Sequence, residues 1–253
     1  MKENRVVPCN VSGYTGQQFY QPALAGAQTL TEYIFDAKVY LTVGETLKRL
    51  SPDAYSLFLV DFLARGMDRY GARWKYADIC TVLFSLAELF ELRDYLEIGV
   101  RRGRSMAMVA AARPQASLVG FDLWQKDYAG MENPGPDFVA AELARVGFSG
   151  KLTLVSGDSH QAVPRFFTDN AEAYFDMITV DGDHSEEGAA QDLQVVLPRL
   201  RIGGVVVFDD IVHPAHAYLR AVWQREVKSL ANFSSYEFSD LGYGVAFAVK
   251  KSD

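Results

Sequence analysis

Five short apolar runs, each closing on a glycine or an acid, constrain what this chain can fold into more than any other feature. They are DYLEIG from Asp94, LVGFD ending at Asp122, LTLVSGD ending at Asp158, FDMITVD ending at Asp181 and GVVVFDD ending at Asp210. Runs of this length, rich in Val, Ile, Leu and Phe, read as strands buried on both faces, and the stretches between them are long enough for a helix. That alternation predicts βα units wound into a parallel sheet. Two later runs, FSSYEF (233–238) and GVAFAVK (244–250), are joined by SDLGY. This linker is too short for a parallel crossover, so they are expected to form an antiparallel hairpin. The expected fold class is α/β, a sheet of seven strands with five parallel and a terminal antiparallel hairpin. Helices are expected over 105–113, 137–146, 161–167, 186–197 and 218–230.

Ahead of Asp94 the pattern changes. A polar opening of about forty residues leads into helical periodicity without strand alternation. Ser51 is placed to cap a helix beginning at Pro52, with Asp53 in its first turn and Gly66 as its stop. Over 74–92, Ile79, Val82, Leu83, Leu86 and Phe90 recur at three- and four-residue spacing, which predicts a second helix with one face against the sheet. The chain is therefore read as a helical segment, 1–93, and a ligand-binding domain, 94–253. Tyr14, Phe19, Tyr20, Tyr33, Phe35 and Tyr40 make the opening aromatic, which suits a lid over an acceptor and contact with a second subunit. A homo-oligomer is expected.

The formal net charge is −7, with 25 Lys and Arg against 32 Asp and Glu. Backbone-tracking nucleic-acid binding needs clustered cations, so this balance argues against it. The most apolar segment, ICTVLFSLA (79–87), falls well short of the roughly 20 residues of a membrane span, and the opening lacks a signal-peptide core. No membrane partner and a cytoplasmic location are expected. Cys9 and Cys80 fall outside any CxxC spacing and read as reduced thiols.

In an open α/β sheet the ligand lies beyond the carboxyl ends of the strands. The first such end reads Glu97-Ile98-Gly99-Val100-Arg101-Arg102-Gly103-Arg104-Ser105 and opens a helix. Its glycines permit a tight turn and a close backbone approach. A nicotinamide dinucleotide loop would need glycines where Arg101 and Arg104 stand. Asp122, one βαβ step later, is placed to accept a ribose diol, and Gly157-Asp158-Ser159 suits an adenine amino group. Asp181-Gly182-Asp183-His184 ends the fourth strand and Asp209-Asp210 the fifth. Converging carboxylates repel one another unless a cation lies between them, and a hard divalent ion such as Mg²⁺ resolves that repulsion most simply.

Together these residues resemble the class I S-adenosylmethionine-dependent methyltransferases and their Rossmann-like fold, over about 94–250. EIGVRRG matches the family's E/D-x-G-x-x-x-G loop, Asp122 its ribose acid and GDS its adenine-side segment. DGDHS with FDD resembles one metal-dependent branch, the O-methyltransferases of macrolide and aminocoumarin sugars, whose scaffold a cephalosporin hydroxylase group shares. The resemblance implies an S-adenosylmethionine- and Mg²⁺-dependent O-methyltransferase acting on a hydroxyl of a sugar or other small natural product in antibiotic biosynthesis. It assigns Glu97, Gly99, Gly103, Ser105, Asp122, Asp158, Ser159 and Asp181 to the cofactor, and Asp181, Asp209 and Asp210 to the metal. Members differ in the base, which here is His184 or Asp183. Two other classes stay open: an oxidative enzyme of the hydroxylase type and a non-catalytic cofactor-binding scaffold.

His160, His213, His216, Trp124 and Tyr128 lie in the same strand-end loops. A lone histidine in such a loop reads more often as a surface residue than as one bordering cofactor or acceptor, while Trp124 and Tyr128 read equally as stacking or pocket-lining residues and as core filler.

Overall fold

In the computed structural model, which describes residues 24–126 and 132–253, the seven runs pair into one sheet. Its strands are β1 (Asp94–Ile98), β2 (Ser117–Asp122), β3 (Leu152–Ser156), β4 (Phe175–Val180), β5 (Leu200–Asp209), β6 (Phe233–Phe238) and β7 (Val245–Lys250). The order is β3-β2-β1-β4-β5-β7-β6. Pairings from β3 across to β5 are parallel, and β7 runs antiparallel to both β5 and β6. The expected five parallel strands and terminal hairpin are what forms. Chain direction through the sheet reverses between β1 and β4, so the crevice at a topological switch point opens above Gly99 and Asp181.

Helices cover both faces. One face carries α1 (Ala27–Ile34), α2 (Ala37–Arg49), α3 (Ala54–Tyr70), α4 (Ile79–Leu89), α5 (Arg104–Ala112) and α6 (Pro136–Arg145), whose apolar sides share one core with Tyr95, Leu118, Met177, Val207 and Phe247. The other carries α7 (Ser159–Asp169), α8 (Glu186–Val196) and α9 (Leu219–Trp223), packed on Leu96, Ile98, Phe121, Ile178 and Phe208. Side chains alternate across β1, so Glu97 points to the α5 side with Tyr95, while Leu96 and Ile98 point to the α8 side.

Several local expectations need correction. α3 starts one turn later than Ser51 suggests, because Asp53 accepts the Ser56 N–H at 2.6 Å while Ser56 Oγ accepts the Asp53 N–H at 2.9 Å, a reciprocal capping box. Gly66 does not stop it. A Cβ there would lie 2.2 Å from the Trp74 ring, so the glycine makes room for that ring, and the helix runs on to Tyr70 with Gly71 at its C-cap. The second helix begins at Ile79 rather than 74, because Asp78 and Thr81 form another capping box. Trp74 and Tyr76 instead stack on each other, with centroids 5.3 Å apart, and the Tyr40 hydroxyl accepts the Tyr76 N–H at 3.1 Å. The polar opening contains α1 and α2, whose narrow apolar stripes bury Leu30, Ile34, Val39, Tyr40 and Val43. Tyr40 is therefore core, Phe35 packs edge-on against Phe238, and Tyr33 is exposed. Tyr14, Phe19, Tyr20, Cys9 and Tyr128 lie outside the described residues. The helix expected over 218–230 is the short α9 followed by a π-helical turn, Gln224–Lys228. Cys80 is a buried free thiol. Among the described residues, no helix is long and apolar enough to cross a membrane.

Candidate active site

Among the described residues, three other than glycine adopt left-handed backbone angles, and all follow strand ends: Arg101 (φ 49°) after β1, Trp124 (φ 52°) after β2 and Asp210 (φ 61°) after β5. Such conformations cost free energy and concentrate at functional sites. Gly99, at φ 92°, passes so near β4 that a Cβ would stand 1.9 Å from the Asp181 carbonyl oxygen. Gly103, at φ 74°, caps α5 and lies against Val139.

Beneath this loop Glu97 is fully buried. It accepts hydrogen bonds from Ser105 Oγ and Tyr95 Oη, and Tyr95 also bonds Thr179 at 2.8 Å. Burial pushes its pKa up to about 8, against the two hydroxyls, which lower it, with the Asp181 and Asp122 charges adding to the rise. Glu97 and Ser105 thus form the floor of the loop. Asp122 sits at the rim, where Oδ2 accepts the Arg101 N–H at 2.7 Å and Oδ1 accepts the Trp124 N–H at 2.6 Å and Asn133 Nδ2 at 2.9 Å. Beside it, Asn133 Oδ1 is buried without a partner, an acceptor facing the place expected for a ribose diol. Trp124 bridges to β3 through Nε1 and Ser156 Oγ, 2.9 Å apart.

At the end of β3, Asp158 caps α7 by accepting the His160 N–H at 3.0 Å. His160 faces inward, 3.7 Å from Asp192 Oδ1 and 3.8 Å from Asp183 Oδ2. Asp192 has no exposure. Neither of its oxygens meets a donor in hydrogen-bond geometry, although the Ser159 hydroxyl and the Asp183 N–H face it, and burial raises its pKa to about 6.

The acids of β4 and β5 divide into two groups. Asp181, His184 and Asp210 offer ligand atoms that all lie within 4.8 Å of one another. His184 Nε2 is 3.2 Å from Asp181 Oδ1 and 3.8 Å from Asp210 Oδ2. Burial works to lower the imidazole pKa, but the hydrogen bond and charge of Asp181, joined by Asp210 and Asp183, leave it raised. Burial and then the Asp181 charge lift Asp210 to about 7. Asp209 also rises, through burial and then the Asp181 and Asp210 charges, and stands beside the triad rather than within it. Asp183 points elsewhere. Its carboxylate accepts the Ser185 N–H at 2.8 Å at the start of α8 and lies where a side chain on Gly188 would be.

The carboxylates of Asp181 and Asp210, with Asp209 adjacent, are oxygen donors that fit a divalent cation, which would relieve the repulsion that adds to burial in raising Asp209 and Asp210 and would offset the carboxylates that raise His184. The β5–α9 loop adds Tyr218, which carries no local signal in the sequence and whose Oη donates to the His184 carbonyl at 2.7 Å. His216, one of the strand-end histidines, lies between His184 and His213, at centroid separations of 5.1 and 4.9 Å.

Residues 96–211 match a family described as "Methyltransferase domain". Tapetum-specific methyltransferase 1 of Arabidopsis thaliana is 23% identical over 188 residues, covering 73% of this chain and 71% of its own. The O-methyltransferase TomG of Streptomyces achromogenes, involved in tomaymycin synthesis and solved with S-adenosylmethionine, aligns with a TM-score of 0.56 at 21% identity, over 80% of this chain and 92% of that one. CalS11, a TDP-rhamnose 3′-O-methyltransferase of calicheamicin biosynthesis, aligns at 0.54 and 19% identity, over 85% and 94%. At these identities the two structures show the shared fold.

Proposed function

We propose that this chain, whose residues 96–211 match a methyltransferase domain family, is an S-adenosylmethionine-dependent enzyme that methylates a hydroxyl of a sugar or other small natural product with the help of a divalent cation such as Mg²⁺. The observation that carries this reading is the meeting of Asp181, His184 and Asp210 at the switch point beside Gly99. The parts that TomG plays in tomaymycin synthesis and CalS11 in calicheamicin biosynthesis support the acceptor class.

In this reading Asp122 accepts the ribose hydroxyls, with Asn133 Oδ1 as a second acceptor. Asp158 and Ser159 border the adenine. Gly99 to Gly103 pass under the methionine part, and Glu97 and Ser105 hold that loop from below. Asp181 and Asp210, with Asp209 beside them, would hold the cation. When bound, it would act as a Lewis acid toward the acceptor hydroxyl. His184 Nε2 takes the hydroxyl proton as the oxygen forms its bond to the methyl carbon and the carbon–sulfur bond breaks, leaving S-adenosylhomocysteine. His184 is chosen over Asp183 because it faces the acids across the crevice, whereas Asp183 is engaged at the start of α8. Tyr218 fixes the His184 backbone, and alignment of oxygen and methyl supplies much of the remaining acceleration.

Exposed Leu41 on α2 and Leu57 and Phe58 on α3 support a homo-oligomer, which light scattering would test. The test of function is S-adenosylhomocysteine formation across a panel of sugar and phenolic acceptors, with Mg²⁺ and with EDTA. Cation-dependent methylation supports the reading. Turnover undiminished by EDTA removes the metal from it, and oxygen uptake with a hydroxylated product replaces it with the oxidative alternative.

A further inference from the structure

The buried face of α8 holds Gly188, Ala189, Ala190, Leu193, Val196 and one acid, Asp192. Asp192 has no exposure, and neither of its oxygens meets a donor in hydrogen-bond geometry. Taking a carboxylate out of water without such partners is costly, and an apolar side chain of similar size would fill the same space without that cost. The surroundings of Asp192 show what the acid holds. Its Oδ2 lies under the β4–α8 turn, 3.1 Å from where a Cβ on Gly182 would stand, and the N–H of Asp183 faces the carboxylate together with the Ser159 hydroxyl. His160 reaches in from the start of α7, with Nε2 3.7 Å from Asp192 Oδ1 and 3.3 Å from the Gly188 carbonyl. The starts of α7 and α8 and the turn after β4 therefore meet at one carboxylate.

That turn is tied at its two ends. The Asp181 N–H donates to the Ile98 carbonyl at 2.9 Å, and the His184 carbonyl accepts Tyr218 Oη at 2.7 Å. Between these ties Gly182 and Asp183 pass over Asp192, and the Asp183 side chain is engaged with the Ser185 N–H. We propose that Asp192 is a positioning residue, which fixes, through the backbone of Gly182 and Asp183, the turn that aims His184 into the crevice. The inference rests on the reading of His184 as the base. Asp192 touches neither acceptor nor cofactor in this role and acts through the main chain alone. An imidazole is only as well placed as the turn that carries it, and a misplacement of about 1 Å costs on the order of a hundredfold in rate.

The test uses Asp192→Leu and Asp192→Asn in the full chain. Leucine fills the space and removes the unpaired carboxylate, so the variant is expected to melt at or above the temperature of wild type. In the same variant amide hydrogen exchange over residues 181–185, followed by mass spectrometry, is expected to speed up about tenfold. Its kcat, for the acceptor selected by the panel above, is expected to fall on the order of ten- to a hundredfold, with S-adenosylhomocysteine affinity within about threefold of wild type. Asp192→Asn, which keeps one acceptor oxygen, is expected to fall between in exchange and in kcat, and it decides by the same criteria if the leucine variant does not fold. Unchanged exchange over 181–185 in a folded variant overturns the proposal, as does faster exchange with kcat unchanged. A lower melting temperature with exchange raised evenly along the chain also overturns it, because that marks an acid serving stability alone. The base reading fails separately, if His184→Gln keeps full turnover, and exchange over 181–185 then still reports whether Asp192 holds the turn.

Discussion

His184 Nε2 lies 3.2 Å from Asp181 Oδ1, two side chains three residues apart whose turn folds one back onto the other at the end of β4. With Asp210 on its other flank, the imidazole is poised between carboxylates and the neighbouring Asp183 is turned away. His184→Gln is therefore expected to lower kcat on the order of 10²- to 10⁴-fold, the usual worth of a positioned base. Asp183→Asn should stay within about threefold of wild type. Initial-rate measurements on both variants check this, and the reverse ranking would transfer the base role to Asp183.

Crowded acids that favour function burden the empty fold. Asp210→Asn removes one charge from a buried group, at a left-handed position that Asn tolerates well. The variant is expected to melt higher than wild type without metal, and to lack the rise expected of wild type on adding Mg²⁺, about 2.7 kcal/mol at a hundredfold excess over Kd. Calorimetric melts with EDTA and with Mg²⁺ decide it. A wild type indifferent to Mg²⁺ would count against the site.

Asp209 is raised by burial and by the Asp181 and Asp210 charges without joining the triad. Asp209→Asn is expected to abolish turnover while S-adenosylhomocysteine affinity stays within about twofold, since the cofactor's nucleoside contacts lie across the crevice. Full activity in this variant would show that Asp209 takes no part.

Gly99 is required by a neighbour as well as by its angle. Gly99→Ala would drive a methyl into the Asp181 carbonyl, 1.9 Å from the Cβ position, and strain a residue at φ 92°. A loss of more than about 2 kcal/mol of stability is expected, along with loss of cofactor binding. Urea denaturation of the variant measures the first and calorimetry the second.

Glu97 has a pKa pushed up to about 8 by burial, so the fold prefers its protonated form. The stability it confers is complete below about pH 4.3 and falls by about 1.4 kcal/mol for each unit up to the folded value. Glu97→Gln keeps a neutral hydrogen-bonding group of the same shape. Its melting temperature relative to wild type is expected to rise steadily from pH 5 to pH 8. A difference that stays constant over that range would mean that Glu97 is not held neutral.

Particular elements show what could be read in advance. The five strand ends and the hairpin were legible because buried parallel strands are continuous apolar runs and a five-residue linker admits one pairing. α1 and α2 escaped because their apolar stripes are interleaved with polar residues, and the start of α4 was set too early because Trp74 and Tyr76, which pack as extended chain, directly precede its apolar face. Gly66 was misjudged for a related reason. A helix stop and a site of close packing look alike until the ring that fills the space is known.

The sequence by itself determined the strand count, the hairpin and the acids at the strand ends, because side-chain alternation, run length and turn chemistry are local properties. Which of those acids meet was decided by the tertiary structure. Asp181, His184 and Asp210 converge because β4 and β5 are neighbours in the sheet and Asp210 turns left-handed beyond its strand. Asp183 leaves the group because the start of α8 offers its carboxylate an N–H. Glu97 meets Ser105 and Tyr95 because alternation along β1 turns it toward the α5 side of the sheet. Such convergence depends on the register and order of strands many residues apart, which no single stretch of chain encodes.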